Sequence, residues 1–328
     1  MRSELKVKKM INEKKLTSIK PWWAITLVLV LYVIFLLVPS TILTLLAINN
    51  PNVANWYVNN IVNFWLINFA LMVVLWLVIV PLLKLPDDKR SFKEYLNSIN
   101  LNKFKPVIKT IGLGILIGGI ILCFAVFTSW LEAKSRGGLQ IFWGRLLVEK
   151  AIPLNIYYAL TPGIWEEVAF RGVIFALLLK KYSQRKTIII NGVMFGLFHL
   201  VNLISLFFLW GYEKEIILRF VYSTLFQVIY ATAIGILLAY LYSKTKSLIS
   251  VIIIHYLIDA FITFLTVVIY FPETTTTDII IRLLMMTTLG IGIVPCAVGC
   301  LIIYFVYKKW PNKTEDVKAI LEPSIDMI

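Results

Sequence analysis

Apolar stretches of about twenty residues or more, separated by short polar segments, make up most of this chain. They fall at about 22–47, 58–83, 107–131, 154–179, 187–210, 216–242, 247–271 and 279–307. A helix rising ~1.5 Å per residue needs about 20 residues to cross the ~30 Å hydrocarbon core of a bilayer. The pattern therefore predicts an all-α, polytopic membrane protein of about eight transmembrane helices. The transmembrane domain is expected over residues 22–310, preceded by a basic segment, 1–21, and followed by a tail, 311–328. The first apolar run follows positive charges, as a signal peptide would, but it is too long and lacks a small-residue cleavage site. It reads as a retained helix.

Composition strengthens this picture. The 328 residues are 59% hydrophobic and only 15% charged, with a mean hydropathy of +0.84, outside the range of soluble domains. A net charge of +14 would direct a soluble protein toward nucleic acid. Its distribution argues against that. With the N-terminus inside, the inner segments hold 24 of the 32 Lys and Arg residues and the outer ones 6. Positive residues are retained on the cytoplasmic side of short loops, so both termini are expected in the cytoplasm. The charge then serves topology and attraction to anionic lipid, and no nucleic-acid partner is expected. Richness in Lys, Ile and Asn with short loops points to a bacterial cytoplasmic membrane.

Several features read as structural. Cys123, Cys296 and Cys300 lie within spans without metal-type spacing and are expected to be small apolar side chains. Ser91 to Asn100 carries Phe92, Tyr95, Leu96 and Ile99 at helical spacing, with Ser91 and Glu94 spaced as a capping box. It predicts a short helix in the inner interface with its aromatic face in lipid. Gly114 and Gly118 form a GxxxG pair expected at a close helix crossing. Asn63, Asn68 and Gln227 are assigned to packing, Arg282 is expected to snorkel to the interface, and Trp22, Trp23 and Trp310 suit an interfacial aromatic belt.

Ionisable residues at membrane depth are a different matter. Each costs roughly 2.5 to 3.5 kcal/mol even on insertion scales, so such groups face a protein interior and mark function by default. Span four reads Pro162-Gly163-Ile164-Trp165-Glu166-Glu167-Val168-Ala169-Phe170-Arg171. Glu167 and Arg171 are an i, i+4 pair that can neutralise one another. Glu166 lies about 100° around the helix from its neighbour, which leaves its carboxylate as a candidate general base. Pro162 and Gly163 predict a break that places Glu166 in the first turn of a half-helix.

The only two histidines of the chain, His199 and His255, sit in spans five and seven. His255 and Asp259 share a helix face at i, i+4, so the carboxylate can select the imidazole tautomer. Counted from the inner span ends at ~1.5 Å per residue, Glu166, His199, His255 and Asp259 lie between about 12 and 24 Å deep, within one layer of the membrane. A mid-membrane set of Glu, His and Asp also suits a transporter. That class predicts inverted repeats with paired broken helices, and only the Pro162-Gly163 break is seen.

Glu166-Glu167-x-x-x-Arg171, Phe195-x-x-x-His199 and His255-x-x-x-Asp259 together resemble the three-motif signature of the CPBP family, the CAAX protease and bacteriocin-processing proteins that include the type II CAAX prenyl endopeptidases and Abi proteins. The resemblance covers roughly residues 150–265. It implies a membrane-embedded endopeptidase in which Glu166 and His199 activate a water that attacks a peptide carbonyl, with His255 and Asp259 facing the oxyanion. Glu167, Arg171 and Asn202 would support these groups, and the substrate would be a membrane-associated protein or peptide. No cofactor is implied by glutamate catalysis. The prenyl-protein branch has Asn where this chain has Asp259, and an ionised carboxylate cannot donate a hydrogen bond. Glu166, His199, His255 and Asp259 are also a sufficient ligand set for zinc with one position left for water, which is the alternative form of the same hydrolysis. A non-catalytic scaffold or immunity protein of the same family is the other alternative.

Overall fold

The computed structural model describes residues 21–86, 91–101, 107–135, 151–208, 213–268 and 276–307, and among them every regular element is a helix. The basic segment, the C-terminal tail and Trp310 lie outside the described residues. Helices α1 (Pro21–Asn49), α2 (Pro51–Asn59) and α3 (Ile61–Val74, continued by a π-helical stretch Leu75–Ile79 and a turn Val80–Leu82) come first. The short α4 (Phe92–Ser98) precedes α5 (Val107–Ser135). Helix α6 (Ala151–Glu167) runs on through a π-helical stretch, Val168–Ile174, into Phe175–Leu179. Helix α7 (Gln184–Phe198) is prolonged by a 3₁₀ segment, His199–Phe208. Then follow α8 (Lys214–Thr245), α9 (Leu248–Val268), α10 (Thr276–Met285, with a π-helical end Met286–Gly290) and α11 (Ile293–Tyr307).

Among the described residues, six stretches are long and apolar enough to cross a membrane: Pro21–Ala47, Asn63–Leu82, Ile108–Glu132, Gln184–Ile204, Lys214–Thr245 and Thr277–Tyr307. The other two expected spans coincide with α6 and α9. Large apolar side chains stay exposed in stripes at helical spacing, such as Leu27, Val30, Ile34, Val38 and Ile42 on α1. Water would not tolerate that much contiguous apolar surface, whereas lipid is its natural solvent.

The chain divides into two compact units, Met1–Asn102 with Gly172–Lys181, and Lys103–Arg171 with Tyr182–Ile328. In the first, Tyr32 stacks edge-on against the wholly buried Trp76, ring centres 5.4 Å apart. The capping box of α4 forms as expected, with Ser91 Oγ accepting from the Glu94 amide and Glu94 accepting from the Ser91 amide. Its aromatic face does not lie wholly in lipid. Tyr95 is buried and donates its hydroxyl to the Trp76 carbonyl at 2.6 Å, and buried Ile99 packs where a Cβ on Gly172 would come within 3.2 Å. Only Phe92 of the expected face is exposed. Burial raises the Tyr95 phenol above its ordinary range, so it remains a donor. Lys180 closes this unit by donating to the Pro86 carbonyl.

The second unit is built on helix crossings that only small residues allow. A Cβ on Gly114 would lie 3.0 Å from the Ser250 carbonyl, and one on Gly118 would lie 2.7 Å from Leu257, so the GxxxG pair packs α5 on α9. Between α7 and α8 the approach is closer. A Cβ on Gly196 would fall 1.9 Å from Thr232 Oγ1, and one on Gly192 would fall 2.6 Å from the Ile236 amide. Lys246, in the left-handed region at φ 52°, ends α8 and turns the chain into α9 within two residues. Arg282 does not simply snorkel: its Nε lies 3.5 Å from a carboxylate oxygen of Glu132, which is almost wholly buried on α5. All three cysteines are free thiols.

Candidate active site

The motif residues of α6 lie where the helix changes width. Pro162 is accommodated inside Ala151–Glu167 and the expected break there is absent; the irregularity comes just after the acidic pair, in the π-helical Val168–Ile174. Glu166 therefore sits in the last turn of an α-helical segment rather than in the first turn of a half-helix. A π-helical stretch displaces backbone groups from their usual partners. One of them, the Phe170 carbonyl, is taken up by Asn191 of α7, whose Nδ2 donates to it at 2.8 Å.

Glu167 is the hub of the site. Its Oε1 accepts from Arg171 Nη1 at 2.9 Å, with both side chains wholly buried, and also from His255 Nδ1 at 2.7 Å. Arg171 donates from Nη2 to the Gly235 carbonyl at 3.2 Å and lies 4.4 Å over the Phe195 ring. A buried guanidinium is thus held by an anion, a backbone acceptor and an aromatic face, the combination that its desolvation demands. The pairing read from the spacing of Glu167 and Arg171 is present, but a third member joins it.

Because a carboxylate only accepts, Nδ1 of His255 carries a proton, and Nε2 is left for the open side of the site. There it faces Glu166 Oε2 at 3.8 Å and Asp259 Oδ2 at 3.4 Å. The partner on Nδ1 is Glu167; Asp259, expected to select the tautomer, meets the other nitrogen instead. Exposure rises outward from this point, from 8% for the His255 side chain to 15% for Glu166 and 32% for Asp259. Glu166 Oε2 is buried and makes no hydrogen bond within the protein, a carboxylate oxygen with capacity for a water.

His199 stands where α7 gives way to 3₁₀ geometry, and its Nδ1 donates to the Phe195 carbonyl at 2.9 Å. A carbonyl can only accept, so Nδ1 of His199 carries a proton, and in the neutral ring Nε2 holds the lone pair. The two imidazoles flank one ring: Phe195 lies edge-on 5.1 Å from His199 and 5.7 Å from His255. Glu166 lies within electrostatic range of both imidazoles and of Asp259 and Glu167. Five of the residues read from the sequence, Glu166, Glu167, Arg171, His255 and Asp259, form one contiguous polar cluster, with His199 beside it across Phe195.

Asn202 lies elsewhere, exposed, donating to Gln227 Oε1 at 3.0 Å. Gln227 thus links α8 to the 3₁₀ end of α7 through its side chain. Tyr230, three residues further along α8, lies within electrostatic range of Asp259 and Glu166. Neither α8 residue was singled out from the sequence as part of the site, although a Gln-x-x-Tyr pair in an apolar span is a legible signal. Among the described residues no three of His, Cys, Asp and Glu are arranged to hold a metal ion.

Residues 148–261, about a third of the chain, match the family described as type II CAAX prenyl endopeptidase Rce1-like. The match spans all three motifs and supports the family resemblance drawn from them. No curated protein and no solved structure matches the chain significantly.

Proposed function

We propose that this chain, whose residues 148–261 match the family described as type II CAAX prenyl endopeptidase Rce1-like, hydrolyses a peptide bond of a membrane-associated protein or peptide at the α6, α7 and α9 cluster. One observation carries the reading. Glu166 Oε2, buried and without a hydrogen-bond partner, stands 3.8 Å from an imidazole whose far nitrogen is locked by Glu167.

In this mechanism a water held between Glu166 and His199 Nε2 gives a proton to Glu166 as its oxygen adds to the scissile carbonyl. The C–O bond forms, and the carbonyl π electrons move onto oxygen. On collapse the C–N bond breaks, and the proton held by Glu166 passes to the leaving amine. His255 Nε2 and Asp259 lie on the side where the negative charge grows. Glu167, neutralised by Arg171, keeps His255 in one tautomer throughout. Asn202 acts at one remove, through Gln227.

The same reading has eight spans with both termini in the cytoplasm, residues 1–21 and 311–328 as cytoplasmic segments, and a bacterial cytoplasmic membrane as location. The excess of Lys and Arg on the inner segments supports that orientation.

The test is cleavage of a farnesylated CAAX-type peptide by the full chain in lipid nanodiscs, together with a comparison of membrane peptides from cells bearing wild-type or Glu166→Ala protein. Glu166→Ala is expected to lower kcat by about 10²- to 10⁴-fold, and 1,10-phenanthroline is expected to leave the wild type unaffected. Loss of activity to the chelator, restored by zinc, transfers the chemistry to a metal. Unchanged membrane peptides and an inactive wild type replace the enzyme by a scaffold.

A further inference from the structure

The 3₁₀ geometry that begins at His199 sets a second polar group beside the proposed site. In a 3₁₀ helix the side chains of residues i and i+3 eclipse. Within His199–Phe208, His199 and Asn202 therefore project from one face of the segment, and Asn202 is exposed. His199 commits Nδ1 to the Phe195 carbonyl, whereas Asn202 reaches across to α8 and donates from Nδ2 to Gln227 Oε1 at 3.0 Å. The glycine crossing fixes where Gln227 stands: a Cβ on Gly196 would meet the carbonyl of its neighbour Val228 at 2.6 Å, three positions before His199.

The bridge occupies the carbonyl of the Gln227 amide and leaves its NH₂ group, which carries two donors. Even with one of them met within α8, the other remains to be offered. Both helices are apolar enough here to lie in the membrane, Gln184–Ile204 on one side and Lys214–Thr245 on the other, and hydrocarbon accepts no hydrogen bond. A link that served only to tie α7 to α8 belongs on the buried side of the crossing, where Gly192 and Gly196 already bring the backbones together. On the exposed side the amide faces the surroundings of His199, and a peptide undergoing hydrolysis there brings what lipid lacks. Its backbone is extended at the scissile bond, because carbonyls in a helix are already bonded within the helix. An extended chain presents its carbonyls at intervals of about 3.3 Å.

We propose that Gln227 binds the peptide backbone of the substrate, donating from Nε2 to a carbonyl about two residues from the scissile bond, and that Asn202 is the positioning residue that holds the Gln227 amide for it. The distance follows from the segment itself: three residues of 3₁₀ helix rise about 6 Å from His199 to Asn202, close to two residues of extended chain. Contact through a main-chain carbonyl also names the class of substrate, an extended segment whose side chain at that position is not read. No bond is made or broken at Gln227, and the inference rests on the hydrolysis proposed above.

Kinetics of the full chain in nanodiscs test it, using farnesylated CAAX-type peptides in which one backbone amide at a time, other than the scissile one, is replaced by an ester, whose carbonyl is a weaker acceptor. Wild type, Gln227→Met and Asn202→Ala are compared, with thermal unfolding as the check on folding. Gln227→Met keeps the length of the side chain and removes the amide. It is expected to raise KM about 3- to 10-fold, the contribution of one hydrogen bond, while kcat changes little. Asn202→Ala leaves the donor but frees its direction, and is expected to raise KM by less. One ester, about two residues from the scissile bond, is expected to raise KM for the wild type and to add nothing in Gln227→Met. An unchanged KM in Gln227→Met, or ester effects that match the wild type at every position, overturns this inference and leaves the peptidase intact. A fall in melting temperature with matching ester effects also overturns it, by reducing the bridge to a tie between α7 and α8. An inactive wild type overturns the peptidase reading and this inference together.

Discussion

Two Glu-Arg pairs in this chain have the same spacing and order, Glu167 with Arg171 on α6 and Glu215 with Arg219 on α8. Their nitrogen-to-oxygen distances differ by a tenth of an ångström, 2.9 and 3.0 Å. In the second pair the Glu and Arg side chains keep 53% and 40% of their exposure; in the first neither keeps any. The exposed pair is a helix-surface contact screened by its surroundings. The buried pair survives only because each charge has further partners: Arg171 the Gly235 carbonyl and the Phe195 face, Glu167 the imidazole of His255. An i, i+4 spacing thus predicts a pair, and the surrounding helices determine whether it becomes a surface ornament or the anchor of a site.

Breaking each pair should magnify the contrast. Glu167→Ala leaves Arg171 charged and buried beside a single backbone acceptor, and is expected to cost about 3 to 5 kcal/mol of stability and to abolish activity, since His255 loses the group on Nδ1. Thermal unfolding in detergent measures the first and peptide cleavage the second; a loss below about 1 kcal/mol would put Glu167 on a par with surface residues.

Next in size comes the helix crossing that delivers the Gly235 carbonyl and His199 to the cluster. Gly196→Ala sets a methyl 1.9 Å from Thr232 Oγ1 and 2.6 Å from the Val228 carbonyl. Forcing α7 from α8 in this way is expected to cost about 1 to 3 kcal/mol and to lower kcat. Gly112→Ala, whose added Cβ meets nothing within 4 Å, is the control and is expected to unfold at the wild-type temperature. Equal effects from both substitutions would mean that the crossing does not constrain the site.

The smallest effect belongs to the exposed pair. Glu215→Ala is expected to change stability by no more than about 0.5 kcal/mol, and that difference should shrink as salt is added. The same salt series should leave the stability difference of Glu167→Ala unchanged, because mobile ions do not reach a wholly buried carboxylate.

Much of the site was legible before any coordinates. Glu166, Glu167, Arg171, His199, His255 and Asp259 stand out because a membrane span makes every ionisable residue conspicuous, and the Ser91 capping box and the Gly114-Gly118 pair are local patterns with local consequences. What was misread depended on neighbours from distant sequence. Arg282 reads as a snorkelling cation until Glu132 is found beside it, and α4 reads as lipid-facing until Trp76 receives the Tyr95 hydroxyl. Pro162 reads as a break because proline cannot donate an amide hydrogen bond, yet the helix carries it and widens only from Val168.

By itself the amino-acid order determined that this chain is helical and lipid-facing, and which few ionisable residues gather in its apolar interior, because apolar run length and the rarity of buried charge are properties of single segments. Tertiary structure alone decided which carboxylate holds which imidazole nitrogen. Glu167 reaches His255 across 88 positions of sequence, with Arg171 tied to the Gly235 carbonyl of a third helix. Proton positions follow from such contacts, and contacts follow from the π-helical stretch of α6 and the glycine crossings of α5, α7 and α8, where backbones approach more closely than any local pattern specifies.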